Sequence, residues 1–181
     1  MAVPRTWVVG EVVTAALLNA EIRDQLNALL TVQTASIVKS SSTSRTSTTT
    51  LAADPHIVLA VAANTAYLLD GFFEYDGAFG AGDLKLDWTV PASATLRWAA
   101  LGTVAADTTQ KFNSSSVEAG VTTLSIGTYG VGSTRNACAP RGYLTTGATA
   151  GNLTLTWAQN ASNATATTLR AGSWARILRR V

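Results

Sequence analysis

Few side chains in this sequence have catalytic potential. His56 is the single histidine and Cys138 the single cysteine among 181 residues. His56 follows Pro55 and has no serine or cysteine partner in a recognisable hydrolase motif. With one histidine in the chain, a Cys–His protease site at Cys138 is equally disfavoured. One cysteine also excludes an intrachain disulfide and a multi-cysteine metal site. We therefore interpret both residues as structural.

Two pairs of carboxylates are close enough in sequence to act together. Glu74 and Asp76 share one face of a predicted strand, and Asp83 and Asp87 follow a glycine-rich turn. Such pairs can supply the acid and base of a glycosidase or ligate calcium. In most proteins residues in these positions are solvated strand-edge groups or turn caps, and we favour that interpretation. The glycines at 127, 130 and 132 lack the lysine and the strand–helix context of a phosphate-binding loop. We expect no cofactor and no bound metal.

Charged residues are scarce and weakly biased in sign. They make up 13% of the chain, about half the usual share, whereas hydrophobic residues make up 47%. The net charge of +2 is too small for a nucleic-acid footprint. A polar but neutral surface suits a protein that is covered by neighbours or belongs to an extracellular particle.

Four arginines cluster near the end of the chain: Arg170, Arg176, Arg179 and Arg180. They are consistent with charge that protects an edge strand from further pairing, or with docking to an acidic neighbour. Four tryptophans lie on predicted strands: Trp88, Trp98, Trp157 and Trp174. We expect them in the core or at a subunit interface, because exposed ones would instead form a carbohydrate platform.

One stretch, residues 14–30, has the pattern of a helix. Thr14 is a candidate N-cap, since its hydroxyl can accept a hydrogen bond from a free N–H of the first turn. Apolar residues then recur at helical spacing, at Leu18, Ile22, Leu26, Leu29 and Leu30. The stripe spans roughly two and a half heptads, which is too short for a stable coiled coil on its own. We expect copies of the chain or another protein to cover it.

The residues before this helix favour an extended conformation. Pro4 disfavours helix before it, and four valines, at positions 8, 9, 12 and 13, favour strand. Trp7 would leave a large apolar surface in water if this segment stayed free. We therefore assign residues 1–32 to an arm and helix that dock onto another protein or onto copies of the chain, with Trp7 among the contact residues.

A Ser/Thr-rich tract, KSSSTSRTSTTT at residues 39–50, follows the helix. Its low complexity is typical of a flexible linker. Threonine-rich segments can also add strands, so an extended arm is an equal alternative. We treat residues 33–52 as a separate linker or arm.

From residue 51 onward the apolar pattern changes to a period of two. Residues 67–76, 84–90, 96–100 and 153–158 alternate in this way. Residues 57–62 are apolar on both faces, as in a central strand. Further strands are predicted at 121–129, 141–144 and 174–178, and a loop at 104–120. About eight strands with short turns indicate a mainly β, jelly-roll-like sandwich head over residues 53–181.

Two stretches resemble a known family. PRTWVVGEVVTAALLN at residues 4–19, continued by IRDQLN at 22–27, resembles the N-terminus of small virion proteins of actinobacterial phages, which are usually labelled minor tail or tail-fibre proteins. GYLTTGATAGNLTLTWAQN at 142–160, with AGSW at 171–174, is similar to their C-terminal part. The resemblance implies a trimeric virion structural protein with a β-sandwich head.

Three classes of function follow from these patterns. The first is a non-enzymatic virion protein, either a minor tail or fibre protein whose head binds a host-surface glycan or protein, or a capsid decoration that reinforces the shell. The second is a wall-degrading tail enzyme, and the third a cellular trimeric lectin-like domain; both are disfavoured by the missing motifs, disulfides and signal peptide. With no signal peptide and no apolar run of about 18 residues, we expect synthesis in the host cytoplasm, assembly into a virion, and no membrane partner.

Surface binding by the head would fall to loops at one end of the sandwich. The glycine-rich turn at 77–83 and the polar segment 105–120 are the candidates, because both are poor in apolar residues. The candidate binding residues are Phe79, Asp83, Asp107, Lys111 and Asn113.

Overall fold

The computed structural model describes residues 6–27, 34–104, 112–113, 117–128 and 135–180. These residues contain thirteen strands: β1 (Thr34–Val38), β2 (Thr43–Arg45), β3 (Ala52–Val61), β4 (Ala66–Asp76), β5 (Leu84–Thr89), β6 (Thr95–Thr103), β7 (Phe112–Asn113), β8 (Val117–Glu118), β9 (Leu124–Ile126), β10 (Asn136–Thr145), β11 (Gly151–Gln159), β12 (Thr167–Leu169) and β13 (Trp174–Arg180). All pairs between them are antiparallel.

The strands form two sheets. In the large sheet the order is β1-β13-β4-β10-β6-β7, with β12 paired to β2 and β4, and β8 paired to β6. In the small sheet it is β3-β11-β5-β9. The predicted mainly β sandwich is therefore confirmed. None of the helical segments within the described residues is long and apolar enough to cross a bilayer.

The core lies between the two sheets and follows from the period-two alternation. Strand β4 turns Tyr67, Leu69, Phe73 and Tyr75 inward, and the intervening residues outward. The small sheet contributes inward rows from β3, β5, β9 and β11. Trp88 packs edge-on against Trp98 at 6.4 Å between ring centroids, so aromatic side chains join the sheets at the centre.

Several predicted strands are found at or near their predicted positions, as β4, β5, β6, β11 and β13. Strand β3 differs from its prediction: it is an edge strand of the small sheet, not a central one. This position explains how it accommodates Pro55, which cannot donate to a ladder. Conversely, β13 lies between β1 and β4, so its arginines do not protect an edge.

The segment predicted as a loop at 104–120 contains two short strands within its described part. β7 pairs with β6 at Gly102 and Thr103, and β8 pairs with β6 at Arg97 and Trp98. Their pairing is dictated by the neighbouring strand, because two-residue strands carry no periodicity of their own.

A short strand lies within the Ser/Thr-rich tract, and another lies directly before it. Strand β1 runs along β13, from Thr34 opposite Leu178 to Val38 opposite Trp174. Strand β2 then pairs with β12. Residues 34–45 thus add strands to the large sheet, in line with the extended-arm interpretation; the boundaries of the three predicted regions stay predictions.

The helical stretch begins at the predicted cap and is interrupted. The Thr14 hydroxyl accepts a hydrogen bond from the Leu17 N–H at 3.3 Å. An α-helix, α1 (Ala15–Leu18), passes into a π-helical turn over Asn19–Arg23 and then into α-helix at 24–27. Before it, residues 6–14 form no strand but include a turn at Val9 and Gly10. The predicted positions Leu29 and Leu30 lie outside the described residues.

We expect the core to depend on the inward row of β11. Leu155 is fully buried, whereas its neighbour Thr154 faces outward. Leu155→Ala should lower the free energy of unfolding by about 2–5 kcal/mol, because it leaves a cavity. Thr154→Ala should change it by no more than about 0.5 kcal/mol. Urea unfolding of both variants measures the difference, and equal losses would contradict the assignment of the two faces.

Candidate functional site

A buried ion pair joins the Ser/Thr-rich segment to the small sheet. The Lys39 Nζ atom lies 2.6 Å from Asp54 Oδ2, and both side chains are fully buried. Lys39 follows the end of β1, and Asp54 lies near the start of β3. The pair thus connects two elements that belong to different sheets.

Asp54 is held by several donors besides Lys39. Its Oδ1 atom accepts hydrogen bonds from the backbone N–H groups of His56 at 2.9 Å and Ile57 at 3.1 Å. Trp157 Nε1 donates to Oδ2 at 3.1 Å. Burial by itself raises the pKa of this carboxyl, but the hydrogen bonds from Lys39 and the two amides, with the Lys39 charge, bring the pKa below its ordinary value. Asp54 is therefore ionised at neutral pH.

His56 and Ser41 complete a group that has the residue types of a catalytic triad. His56 Nε2 lies 3.3 Å from Ser41 Oγ, and His56 Nδ1 lies 3.8 Å from Asp54 Oδ1. In a serine hydrolase Nδ1 carries the proton and Nε2 accepts one from the serine. Here Lys39 Nζ, which can only donate, lies 3.2 Å from Nδ1.

The Lys39 contact decides the tautomer of His56. We assign the ring proton to Nε2 from its hydrogen-bond partners, because Nδ1 must accept from Lys39. Nε2 then donates to Ser41 and takes no proton from it. This arrangement does not activate Ser41, so we interpret the group as structural, as we predicted for His56.

Arg45 holds the same segment against the small sheet, six residues after Lys39. Its guanidinium lies 4.2 Å from the centre of the Trp157 ring and donates to the Trp157 carbonyl and, at 3.0 Å, to the Ala53 carbonyl. Stacking and hydrogen bonding together hold β2 against β3 and β11. The sequence analysis missed both Lys39 and Arg45; their position as lone cations in a neutral tract was the available signal.

The carboxylate pairs proposed for acid–base or calcium chemistry are engaged in structural contacts. Asp76 is buried and accepts from Arg170 Nε at 2.8 Å, and Arg135 approaches Glu74 at 3.7 Å. Asp87 accepts from the Gly120 N–H at 3.1 Å. Within the described residues, no three His, Cys, Asp or Glu side chains come together as a metal site would require.

The cysteine and three of the tryptophans are core residues. Burial raises the pKa of the Cys138 thiol far above its ordinary value, which makes it unreactive. Trp88, Trp98 and Trp157 are at most 1% exposed, so they form no carbohydrate platform. Trp174 is partly exposed on the outer face of β13 and lies 5.5 Å from the Arg176 guanidinium.

The predicted attachment residues that the structure describes lie on an exposed surface. Leu18, Ile22 and Leu26 are 43%, 50% and 53% exposed, and Trp7 is 44% exposed. The sandwich of the same chain therefore leaves this stripe uncovered. The fifth predicted residue, Leu29, lies outside the described residues.

The predicted loop residues divide into three groups. Phe79 is 52% exposed in the turn after β4. The prediction that Asp83 lies on the surface is wrong, because its side chain is 3% exposed. Its Oδ1 atom accepts a hydrogen bond from the Thr128 N–H at 2.9 Å, which organises the turn. Asp107 and Lys111 lie outside the described residues, and Asn113 lies in β7, opposite Gly102.

Comparison with protein-family models finds no match, and comparison with curated proteins finds none either. Among solved structures, a chain of the tripod from the baseplate of bacteriophage Tuc2009 is similar at a TM-score of 0.31 and 7% identity, over 99% of this chain and 79% of that chain. A chain of infectious bursal disease virus, Gt strain, is similar at 0.21 and 11% identity, over 82% and 41%. At such scores neither likeness assigns a fold or a function to this chain.

We expect the buried pair to make stability depend on pH. Asp54→Asn should lower the free energy of unfolding at pH 7 by about 3–5 kcal/mol, because Lys39 loses its counter-charge. The folded-state pKa of Asp54 is depressed, so its contribution is complete above the unfolded value of about 3.9 and disappears as the pH falls through the folded value. The difference in the free energy of unfolding between wild type and Asp54→Asn should therefore become smaller below about pH 4.

Urea unfolding at pH 7 and pH 3 measures this gap. Asp24→Asn is the matched control, because Asp24 is 54% exposed and pairs only at the surface with Arg23. A gap for Asp54→Asn that stays constant with pH would show that the carboxylate charge does not carry the effect.

Proposed function

We propose that this protein is a non-enzymatic structural component of a phage virion, of the minor tail or fibre type. Its N-terminal arm and helix mount it on the particle as a homotrimer, and the β-sandwich head projects outward. The observation that carries this proposal is the exposed apolar stripe formed by Leu18, Ile22 and Leu26, outside the folded head.

The stripe favours association on energetic grounds. Fully burying one leucine or isoleucine side chain stabilises by about 1.5–3 kcal/mol relative to exposing it, and three such residues are about half exposed in each copy. A helix this short does not persist in water without a partner surface. The resemblance of residues 4–19 and 22–27 to the N-termini of small phage virion proteins supports the same use.

A structural role also agrees with the state of the polar groups. The His56 ring presents an N–H to Ser41, the Cys138 thiol is buried, and the Glu74 and Asp76 carboxylates face arginines. A cell-wall-degrading activity needs side chains poised for proton transfer, and the contacts of these groups do not provide that. This makes the enzyme the weaker proposal.

Two positions on the virion fit such a protein. As a tail or fibre component, its head would contact a glycan or protein of the host surface, with the turn that carries Phe79 as a candidate contact. As a capsid decoration or head fibre, it would cover lattice gaps and reinforce the shell. The resemblance to proteins labelled minor tail or tail-fibre favours the first.

We expect a charge in the stripe to prevent mounting. Ile22→Asp should convert a trimer into monomers and abolish incorporation into particles, because burying an unpaired carboxylate costs several kcal/mol. Ala20→Asp adds the same charge two residues away, off the stripe, and should preserve both properties. Light scattering of the purified chains and copy number in virions are the measurements; a monomeric wild type, or normal incorporation of Ile22→Asp, would contradict the proposal.

A substitution in the turn that carries Phe79 should distinguish a tail protein from a capsid decoration. For a tail protein, Phe79→Ala should slow adsorption to host cells while particles still assemble, because surface binding depends on exposed loops. For a capsid decoration, the same variant should adsorb normally, and deletion of the protein should reduce survival of particles on heating. Adsorption rate and heat survival are measured on the same preparations, and normal adsorption would reject the host-binding role of this turn.

A further inference from the structure

The two outer faces of the sandwich differ in chemistry. The outer face of the small sheet carries mostly small and polar residues, among them Lys85, Asn152, Thr154 and Thr156. The outer face of the large sheet carries six exposed apolar side chains, Val38, Leu68, Phe72, Leu101, Tyr143 and Leu178, each between 38% and 59% exposed. Solvated outer faces normally alternate to polar residues, so the large sheet has the composition of a covered face.

The strand register arranges these side chains in rows. Leu178, Leu68 and Tyr143 are cross-strand neighbours on β13, β4 and β10. Four residues further along β4, Phe72 lies opposite Trp174 of β13. Leu101 of β6 lies opposite Ala139 of β10. Each of the two apolar rows thus crosses several strands of one sheet.

A charged row lies between the two apolar rows. Asp70 is flanked by Arg176 on β13 and Arg141 on β10. Arg176 donates to Asp70 Oδ2 from Nε at 3.2 Å and from a terminal nitrogen at 2.8 Å, whereas Arg141 Nε remains 3.6 Å from Oδ1. The Arg141 side chain is 82% exposed. With Leu68 and Leu178, these residues line an open cavity of about 420 Å³.

We infer that this outer face of the large sheet, defined by Leu68, Asp70, Phe72, Arg141, Tyr143 and Leu178, is the contact surface between the heads of neighbouring copies of this chain. The inference rests on the homotrimer of the proposed function and assigns the surface by which its heads meet. The charged row contains both signs in each copy, one carboxylate and two guanidiniums. Arg141 of one copy can pair with Asp70 of the next, while Arg176 keeps its own contact with Asp70.

A second copy would also bury the apolar rows. Both exposed apolar surfaces, the stripe on the helix and the face on the head, occur once in each chain. Each copy that joins an assembly therefore brings one helix stripe and one head face, so self-association can cover both surfaces. Subunit interfaces are enriched in arginine as well as in aromatic and other apolar residues.

Cysteine labelling of the full chain tests the face directly. Phe72 on the large sheet and Val58 on the small sheet are a matched pair, because they are 38% and 36% exposed and both lie on outward-facing strand positions. Phe72→Cys and Val58→Cys each introduce one accessible thiol, while Cys138 is buried. Reaction with a maleimide reports whether each position is covered.

In the trimer we expect the Phe72→Cys thiol to react about tenfold or more slowly than the Val58→Cys thiol, and at the same rate after dilution to monomers. Equal rates in a chain that light scattering shows to be trimeric would overturn this inference and leave the proposed trimer standing. A chain that is monomeric at every concentration would overturn both. Protection seen only in assembled virions would assign the face to another protein and overturn the second copy as its occupant.

A second pair of variants tests the contribution of the face to association. Leu68→Glu should raise the concentration at which the trimer dissociates by about tenfold or more, because it places a carboxylate in the apolar row beside Asp70. Val58→Glu on the small sheet should leave that concentration unchanged. Circular dichroism verifies that both variants fold, and an unchanged dissociation concentration for folded Leu68→Glu would reject the inferred face.

Discussion

The alternation of side chains along each strand is the constraint on which this structure depends. Because successive residues of a strand point to opposite faces, every strand that sends a leucine or tryptophan inward must send its neighbours outward. The inward rows of β3, β5, β9 and β11 meet those of β4, β6, β10 and β13 to form one core. A shift of one residue in any of these strands would exchange core and surface, so the registers are fixed by the core itself.

The ion pair of Lys39 and Asp54 determines the path of the polar segment at residues 39–50. Residues 39–50 are too polar to contribute a row to the core, yet they cross from the large sheet to β3. Moving two charges out of water is unfavourable unless each finds close partners. The Asp54 carboxylate accepts hydrogen bonds from Lys39, Thr43, Trp157 and two backbone amides. The pair therefore specifies one path for a segment whose composition alone would allow many.

The sequence predicted those parts of the fold that have a periodic signal. Strands β4, β5 and β11 alternate strongly and were located from that alone. Strands β2 and β12 are three residues long and rich in serine and threonine, so their extended state comes from pairing with neighbours. The polar cluster escaped prediction because Lys39 and its partner Asp54 are 15 residues apart in sequence. Asp83 was placed on the surface because its hydrogen bond from the Thr128 amide is made across 45 residues.

The π-helical turn at Asn19–Arg23 changes the course of the apolar stripe along the N-terminal helix. Its hydrogen bond from the Asp24 N–H to the Asn19 carbonyl spans five residues, so this turn is wider than an α-helical turn. In a regular α-helix residues four apart are offset by about 40°, and a stripe built on that spacing winds around the helix. The wider turn rotates the chain by a smaller angle per residue, so the apolar stripe changes direction between Leu18 and Ile22. The stripe therefore does not follow the regular spacing of a heptad repeat.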